Sequence, residues 1–280
     1  MKRYIERLTK YFKLVRVHLW YRNLLCALPL LMCSPDYSLE LIKNVLWSFI
    51  TLCLASSWGY ILNDILDLES DRRNPLKRNR PLPSGEVSIA EALLIWTFLF
   101  CSSFSLSTLL LTFYPLLLMV NTALYSKYTK HIPFLDITSL SMNYIIRVLE
   151  GYRAINVAPN IDLLLTVYFL ATLLSLGKRV SELSTVGESY RKGLKGLSTN
   201  TALAIASIYG VFFMFYISDI VGLKFITIPL ISFLVARYIY LIENNPRALE
   251  SPYTLLHDKL FSAVLIPTVL LILYSFYGGV

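Results

Sequence analysis

The densest group of chemically competent side chains is an acidic run, NDILDLESD, at the end of an apolar segment. At 100° per residue of an α-helix, Asn63, Asp67 and Asp71 fall within an arc of about 80°, with Asp64 beside them and Glu69 on another face. Carboxylate and amide oxygens without His or Cys suit Mg²⁺, which keeps water ligands and accepts phosphate oxygens. The pattern predicts a magnesium site formed by Asn63, Asp67 and Asp71, with Asp64 as a further catalytic candidate. The alternative is a solvated helix end with ordinary acidic residues.

A strongly basic segment, RRNPLKRNRP, follows the acidic run directly. Its five cations stand beside the predicted metal site, and arginine grips phosphate oxygens through two parallel hydrogen bonds. We therefore interpret the segment as a polyanion-binding loop, although its charge alone also fits an ordinary cytoplasmic loop of a membrane protein. The substrate-binding candidates in it are Arg72, Lys77, Arg78 and Arg80.

Two further groups of charges lie in or next to apolar segments. Lys178, Arg179 and Glu182 follow an apolar run, and Lys178 and Glu182 are neighbours if the helix continues. Arg147 and Glu150 fall inside an apparent membrane span, where ionisable side chains are functional candidates by default. Arg147 and the first three residues are therefore substrate-binding candidates. The alternatives are a helix-capping ion pair for the first group and a plain buried pair for the second.

The composition of the chain indicates that these charged groups are positioned by membrane-spanning helices. Hydrophobic residues make up 56% of the 280-residue chain and charged residues only 16%, well below the roughly one quarter that is usual in soluble domains. Apolar segments of this length cross a bilayer as helices. The predicted fold is all-α and polytopic, in one compact helical domain. Nine spans are predicted, near residues 17–34, 43–62, 88–108, 110–126, 133–151, 160–177, 199–219, 223–242 and 260–278.

The basic residues are distributed unequally between the connections of this nine-span arrangement. The N-terminal lead-in and the even-numbered connections carry nearly all of them. Lysine and arginine accumulate in cytoplasmic loops, so the N-terminus and the predicted metal site face the cytoplasm, at the plasma membrane, and the C-terminus lies outside. The net charge of +8 then indicates anionic lipid headgroups and phosphorylated substrates as partners, rather than nucleic acid.

The segment NDILDLESDRRNPLKRNRPLPSG resembles the first aspartate-rich motif of the UbiA-type intramembrane prenyltransferases, NDxxDxxxD followed by Arg-Pro and Gly. The resemblance implies nine transmembrane helices around a central cavity, in a single domain spanning residues 1–280. The second motif of that family, a DxxxD-like sequence after the sixth span, is absent. The sequence GKRVSEL, residues 177–183, stands in its place.

The segment GKRVSEL resembles the corresponding segment of one branch of the family, the decaprenyl-phosphate phosphoribosyltransferases. The segments WYRNL, YSKYTK and LHDK also resemble this branch. The resemblance implies a Mg²⁺-dependent transfer of 5-phosphoribosyl from phosphoribosyl diphosphate to a polyprenyl phosphate, with release of diphosphate. It adds Arg22, Tyr125, Lys127 and Lys130 to the substrate-binding candidates. Replacing a carboxylate motif by Lys178 and Arg179 also suits an additional phosphate better than a second metal, on charge alone.

Two other functions stay open on the sequence. The first is prenyl transfer from a prenyl diphosphate to an aromatic or glycerol-type acceptor, which shares the first aspartate site and is disfavoured by the missing second motif. The second is a non-enzymatic transporter of anionic lipids or phosphates. Four clustered oxygen ligands argue against a transporter, because a phosphate carrier has little need of them.

Overall fold

Every regular element in the described part of the chain is a helix. The computed structural model describes residues 2–33, 37–75, 77–132, 134–186, 204–213, 224–249 and 252–277. Three short stretches, Val17–Ala27, Thr129–His131 and Pro246–Leu249, are 3₁₀-helices. The α-helices are α1 (Lys2–Val15), α2 (Leu28–Cys33), α3 (Leu39–Leu66), α4 (Leu68–Arg73), α5 (Ile89–Leu109), α6 (Tyr114–Lys127), α7 (Leu135–Ile155), α8 (Ile161–Val186), α9 (Ala204–Phe213), α10 (Lys224–Asn244), α11 (Pro252–Leu256) and α12 (Lys259–Tyr277).

Serine caps define where two of the long helices begin. The Ser38 side chain accepts a hydrogen bond from Leu41 N at 3.3 Å and starts α3. Ser88 and Glu91 form a reciprocal capping box at the start of α5, which satisfies backbone N–H groups that have no partner within the helix. The cap fixes the start of α5 at Ile89, eight residues after the basic segment ends at Pro81.

Four of the described helices, α3, α5, α8 and α10, are long and apolar enough to cross a membrane. Shorter apolar helices lie at Ala204–Phe213 and Lys259–Leu271. The protein is thus an all-α, polytopic membrane protein, and the count of nine spans stays a prediction. α8 continues to Val186, beyond the predicted end of the sixth span at residue 177, so GKRVSEL is helical and does not lie in a connection. The first predicted span is a 3₁₀-helix followed by the short α2, and not one α-helix.

The described residues divide into two compact units. The first comprises residues 1–129 and 146–159. Its core is formed largely by α3, whose Leu52, Ala55 and Ile61 are almost completely buried, together with Leu118 from α6. The second comprises residues 130–145 and 160–280, and its core is built from α8, α10 and α12 with the first part of α7.

An eleven-residue 3₁₀-helix, Val17–Ala27, is the most unusual element of the first unit, because runs of 3₁₀ longer than three or four residues are uncommon. Side chains three residues apart eclipse each other in this geometry. Trp20 and Asn23 therefore lie on one line facing α3. Trp20 Nε1 donates to Ser57 Oγ at 3.0 Å, and Asn23 Nδ2 donates to Cys53 Sγ at 3.2 Å. The 3₁₀ pitch aligns a row of polar contacts that a 3.6-residue helix would rotate apart.

Candidate functional site

The acidic run spans a junction between two helices. α3 ends at Leu66, and Asp67 has φ −97° and ψ 7° before α4 begins at Leu68. The helical hydrogen bonds nevertheless continue across the junction, from Asp67 N to Asn63 O at 2.9 Å and from Asp71 N to Asp67 O at 2.8 Å. Asn63, Asp67 and Asp71 therefore stay stacked one turn above the other, as the helical periodicity predicts.

Two carboxylates of the run are buried. Asp71 has no exposed surface and Asp64 has 1%, whereas Asn63 and Asp67 are half-buried. Asp64 and Asp71 are seven residues apart, which places them about 20° from each other on an α-helix. Asp64 is therefore a full member of the buried pair and not merely a neighbour of the predicted stripe.

Three cations surround this pair of carboxylates. Arg16 Nη2 lies 2.5 Å from Asp64 Oδ1. Arg80 Nη1 bridges the pair, at 3.3 Å from Asp64 Oδ1 and 3.1 Å from Asp71 Oδ2. Lys77 Nζ lies 3.3 Å from Asp71 Oδ1. The structure thus joins the acidic run and the basic loop into one cluster, in which opposite charges compensate the loss of hydration.

Arg16 is the member of the cluster that the sequence does not reveal. It precedes the 3₁₀-helix in a left-handed backbone conformation, with φ 55° and ψ 49°, and its guanidinium also packs over the ring of Tyr60 at 5.0 Å. Forty-eight residues separate it from Asp64. The only sequence signal was the basic character of the N-terminal lead-in.

The donor set fits Mg²⁺. Asp71 Oδ1 is buried, accepts no hydrogen bond from the described residues and lies 3.3 Å from Lys77 Nζ, so Mg²⁺ could bind this oxygen in place of the lysine ammonium. In the same described ranges, no three His, Cys, Asp or Glu side chains form a metal cage. Mg²⁺ does not require one, because it usually binds through one or two carboxylates, phosphate oxygens and water.

The outer face of the junction is solvent-exposed. Glu69 has 72% of its side chain exposed and pairs with Arg72 at 3.0 Å. Arg78, in the basic loop, is also exposed. Glu69 thus points away from the buried pair, and Arg72 and Arg78 lie outside the cluster that Lys77 and Arg80 join.

Four other candidates occupy separate positions. Arg22, on the 3₁₀-helix, is half-buried and lies 5.8 Å from the ring centroid of the adjacent Tyr21. Tyr125 is buried with 9% exposure, and Lys127, the last residue of α6, is exposed. Lys130, in the second unit, is buried with 4% exposure.

Arg147 is held inside the first unit by neutral oxygens. Its Nε donates to Asn23 Oδ1 at 2.7 Å and its Nη2 donates to Ser56 Oγ at 3.2 Å. Ser56 Oγ also donates to Asn23 Oδ1 at 3.1 Å, and all three side chains are at least nine-tenths buried. Along α3, Ser56 lies about 12 Å from Asp64, so Arg147 is a second, deeper cationic position in this unit.

Glu150 has its own set of partners at the other end of the same unit. It is completely buried, and it accepts hydrogen bonds from Ser48 at 2.7 Å, from Arg153 at 2.7 Å and from Thr112. Arg153 also donates to the carbonyl of Leu110 at 2.7 Å. The cluster ties α3 and α7 to the turn before α6, which is a structural role for the carboxylate.

The cluster of the second unit centres on Arg179. This guanidinium is 2% exposed; its Nε lies 2.6 Å from Asp136 Oδ2 and its Nη1 lies 2.7 Å from Glu182 Oε2. Lys178, the preceding residue, is exposed. Asp136, in the first turn of α7, is the member that the sequence did not identify, because 43 residues separate it from Arg179.

The family of the chain follows from comparison with known proteins. The UbiA prenyltransferase family matches residues 23–256, which is most of the chain. The chain belongs to the UbiA prenyltransferase family. It is accordingly a UbiA-family transferase and an integral membrane protein, and the interpretation as a non-enzymatic transporter is wrong.

Its relatives within the UbiA family include two branches. A decaprenyl-phosphate phosphoribosyltransferase of Mycolicibacterium smegmatis is 31% identical over 198 residues, 68% of this chain and 62% of that protein, so the alignment spans less than two thirds of it. The Mycobacterium tuberculosis protein of the same name is 30% identical over 217 residues, 71% of this chain and 72% of that one. A digeranylgeranylglyceryl phosphate synthase of Saccharolobus solfataricus is 36% identical over 117 residues, 42% of this chain and 40% of that protein.

The fold of this UbiA-family chain is also that of solved structures. A UbiA homologue from Archaeoglobus fulgidus, bound to DMAPP and Mg²⁺, superposes with a TM-score of 0.71 at 19% identity, over 95% of this chain and 98% of that chain. The all-α membrane fold is thereby confirmed. Sequence identity of this size carries the fold and not the substrate.

Proposed function

We propose that the protein transfers the 5-phosphoribosyl group of phosphoribosyl diphosphate to a polyprenyl phosphate and releases diphosphate. The observation that carries the proposal is the Arg179 cluster. A buried guanidinium stands where the UbiA family usually has its second carboxylate motif. It pairs with Asp136 and Glu182, and an additional phosphate of the substrate would bind it in exchange for the half-buried Glu182 carboxylate. The names of the relatives that are about 30% identical support the same substrates.

The donor diphosphate binds at the first unit in this proposal. Asn63, Asp67 and Asp71 hold Mg²⁺, which would neutralise charge on the departing diphosphate. Lys77 and Arg80 bind diphosphate oxygens from the basic loop, because both cations already lie within 3.3 Å of the buried carboxylates. Asp64 keeps Arg16 and Arg80 in place.

The transfer exchanges one C–O bond for another. The bond from ribose C1 to diphosphate breaks, and its electron pair leaves with the diphosphate. A phosphate oxygen of the polyprenyl phosphate forms the new bond to C1. Because that oxygen is already anionic, no general base is required, and the task of the protein is to hold several anions together.

The other candidates complete the arrangement as further proposals. Arg147 and the Lys178–Arg179 pair each bind a phosphate group, and Arg22, Tyr125, Lys127 and Lys130 contact substrate near the membrane surface. Arg72 and Arg78, which lie outside the first cluster, and Glu182, which pairs with Arg179, are further substrate-binding candidates. We place the active site at the cytoplasmic face of the plasma membrane, in a single domain of nine transmembrane helices around a central cavity.

The test offers the purified protein phosphoribosyl diphosphate and farnesyl diphosphate separately, each with polyprenyl phosphate, and measures diphosphate release and the mass of the lipid product. We expect turnover of the sugar donor only. Asp71→Asn should lower the rate by about a hundredfold or more, since a ligand at the reacting diphosphate is lost, and Glu69→Gln should act as the matched control with little effect. Turnover of farnesyl diphosphate alone would refute the assignment.

A second enzyme function is favoured by one observation. The similarity to a digeranylgeranylglyceryl phosphate synthase agrees with prenyl transfer from a prenyl diphosphate to a glycerol-type acceptor. Adding a glycerol-type acceptor to the farnesyl diphosphate reaction decides between the two functions, because only a prenyltransferase would attach the farnesyl group to such an acceptor.

A further inference from the structure

The polar face of α3 that carries the predicted magnesium ligands continues beyond them to a buried arginine. Arg147 donates to Ser56 Oγ at 3.2 Å. At 100° per residue, Ser56 lies about 20° from Asp67 on one side and about 20° from Asn63 on the other. The rise from Ser56 to Asn63 is about 10 Å. A cation and the magnesium ligands therefore occupy one side of the same helix, about two to three turns apart.

This separation fits a ligand with two phosphate groups. In phosphoribosyl diphosphate, seven bonds of about 1.5 Å join the α-phosphorus to the 5-phosphorus, and they extend over about 8 Å. Contacts of about 3 Å from phosphate oxygen to Mg²⁺ at one end and to a guanidinium at the other increase the reach to about 12–14 Å. Ser56 and Asp64 are about 12 Å apart along the helix. A prenyl diphosphate has only hydrocarbon at that distance from its diphosphate.

The side chains that orient Arg147 from this side are neutral. Asn23 Oδ1 accepts hydrogen bonds from Arg147 Nε at 2.7 Å and from Ser56 Oγ at 3.1 Å, and Asn23 Nδ2 donates to Cys53 Sγ at 3.2 Å. Both ends of the Asn23 amide are thus used, and the residue is only 1% exposed. An amide holds a guanidinium in one orientation without cancelling its charge, whereas a carboxylate at the same position would bind it as an ion pair.

We propose that Arg147 binds the 5-phosphate of the sugar donor and that Asn23 positions Arg147 for this contact. The inference rests on the proposed function, which supplies the donor. Asn23 acts through Arg147: it directs the Nη atoms toward the phosphate and leaves the positive charge available for it. The two residues together distinguish a donor with a second phosphate from a prenyl diphosphate.

The variant Asn23→Asp changes the charge of this contact with almost no change of shape. A carboxylate can keep the contacts to Arg147 and Ser56, and the Cys53 thiol can donate to its second oxygen. The variant should therefore fold, with thermal unfolding close to that of the wild type. Its negative charge would lie about 6–8 Å from the bound phosphate. At an effective dielectric constant of about 20, this repulsion weakens binding by about 30- to 100-fold.

The loss should appear in the KM for phosphoribosyl diphosphate. A contact to a phosphate far from the breaking bond is made equally in the ground state and the transition state, so kcat should change by about threefold or less. A merely structural role of Asn23 predicts the opposite pattern, a lower apparent kcat with unchanged KM, because fewer molecules are folded. Ser56→Ala, which keeps Asn23 and removes a neutral hydrogen bond to Arg147, should raise the same KM by about two- to tenfold.

The matched control is another exchange of amide for carboxylate. Asn160 Oδ1 accepts a hydrogen bond from Leu163 N at 3.0 Å at the start of α8, and Asp caps a helix as well as Asn does. Asn160→Asp should therefore behave as the wild type in both kinetic constants. An unchanged KM in both Asn23→Asp and Ser56→Ala would overturn the inference and leave the proposed function standing. If Asn23→Asp does not fold, Ser56→Ala decides alone, and an unchanged KM in it overturns the inference.

Binding of ribose 5-phosphate keeps this inference separate from the proposed function, because this probe carries the 5-phosphate and no diphosphate. Equilibrium dialysis with the purified protein should give a Kd about 30-fold or more higher for Asn23→Asp than for the wild type. Binding of Mg²⁺ with diphosphate should change by about threefold or less, because about 12 Å exceeds the Debye length at physiological salt and Mg²⁺ offsets the diphosphate charge.

The two assays together separate the possible failures. A wild type that binds ribose 5-phosphate in this Asn23-dependent way, but does not turn over phosphoribosyl diphosphate, would support the 5-phosphate site and refute the reaction. A wild type that does not bind ribose 5-phosphate, or binds it as tightly as Asn23→Asp does, would overturn the inference.

Discussion

Exchange of the buried pair Asp136–Arg179 for apolar residues tests whether it stabilises the fold, binds substrate, or does both. The side chains are only 2% and 3% exposed, and the charged atoms are 2.6 Å apart. At an effective dielectric constant of about 20, their attraction is about 6 kcal/mol, and most of it offsets the lost hydration of two charges. Removing one partner should therefore destabilise the protein by about 3–5 kcal/mol. We expect Asp136→Leu at the lower end, because Glu182 still pairs with Arg179 at 2.7 Å.

For the double variant we expect stability close to that of the wild type, in contrast to the single variants. Asp136→Leu with Arg179→Met removes both charges together, and replacing a buried ion pair by apolar groups is often neutral or stabilising. Glu182 loses its pair with Arg179, but its side chain is 25% exposed and can be hydrated, so the free energy of unfolding should return to within about 1–2 kcal/mol of the wild type. Unfolding of the purified protein in detergent, followed by far-ultraviolet circular dichroism, measures all four proteins. Asp162→Asn, an exposed acidic residue at the start of α8, is the control and should change stability by less than about 1 kcal/mol.

Activity then separates the two roles. The stable double variant should lack phosphoribosyl transfer, because the proposed phosphate ligand Arg179 is gone. A double variant that is both stable and fully active would show that Arg179 does not contact substrate. Single variants that each lose less than about 1 kcal/mol would refute the burial argument itself.

Two further predictions concern the second unit. Gly177→Ala should destabilise the protein by about 1–3 kcal/mol, because a Cβ there would lie 2.0 Å from the Tyr238 hydroxyl oxygen. Adding Tyr238→Phe removes that oxygen but leaves the ring carbon Cζ 2.8 Å from the Cβ and removes the hydrogen bond to the Leu173 carbonyl, so it should restore only part of the loss in the same unfolding assay. The hydrogen bond from Arg237 lowers the pKa of Asp258, so its stabilising contribution should be complete above about pH 4 and disappear as the pH falls through the lowered pKa. The stability difference between the wild type and Asp258→Asn, measured against pH, should shrink only at the acidic end.

The spacing of the acidic residues predicts more of the site than the magnesium ligands alone. Spacings of four residues predicted that Asn63, Asp67 and Asp71 share a face, and the continuous hydrogen bonds across the junction preserve that face. The same arithmetic places Asp64 and Asp71 about 20° apart. Their position on one face of the helix was therefore predictable from residue spacing, whereas their burial was not.

The partners of the charged residues were not accessible in this way. Arg16 reaches Asp64 across 48 residues, and Asp136 reaches Arg179 across 43. No local period relates residues at such separations, because the contacts depend on how whole helices pack. Sequence patterns identify buried charges that require partners, whereas the packing of the helices determines which residues those partners are.

The sequence left open whether α8 continues beyond the sixth predicted span, and the structure shows that it does. Hydropathy falls sharply at Lys178, which predicted the end of the span near residue 177. The helix continues because Arg179 pairs with Glu182 one turn later, at 2.7 Å, and such pairs support helical structure. The first predicted span, residues 17–34, is mostly apolar with His18, Arg22 and Asn23 inside it, and apolar content alone does not distinguish a 3.0-residue pitch from a 3.6-residue pitch.

The charges around the buried carboxylates predict how metal and diphosphate bind. Asp64 and Asp71 already have three cationic partners, Arg16, Lys77 and Arg80. Mg²⁺ alone would add positive charge to a compensated cluster, and a local cation would have to be displaced. Mg²⁺ together with diphosphate is anionic, so the displaced cations can turn to phosphate oxygens. We therefore expect the two ligands to stabilise the protein only when both are present.

Thermal unfolding measures this coupling without any turnover. At ligand concentrations of about 100 times Kd, binding stabilises by about 2.7 kcal/mol, which corresponds to a rise in Tm of about 5–10 °C for a chain of this size. The rise should appear with Mg²⁺ and diphosphate together, and be nearly absent with Mg²⁺ alone. Lys77→Met removes one compensating charge beside Asp71, so Mg²⁺ alone should then stabilise this variant. A wild type that Mg²⁺ alone stabilises as much as both ligands do would show that the cations do not compete with the metal, and the magnesium proposal would need another set of ligands.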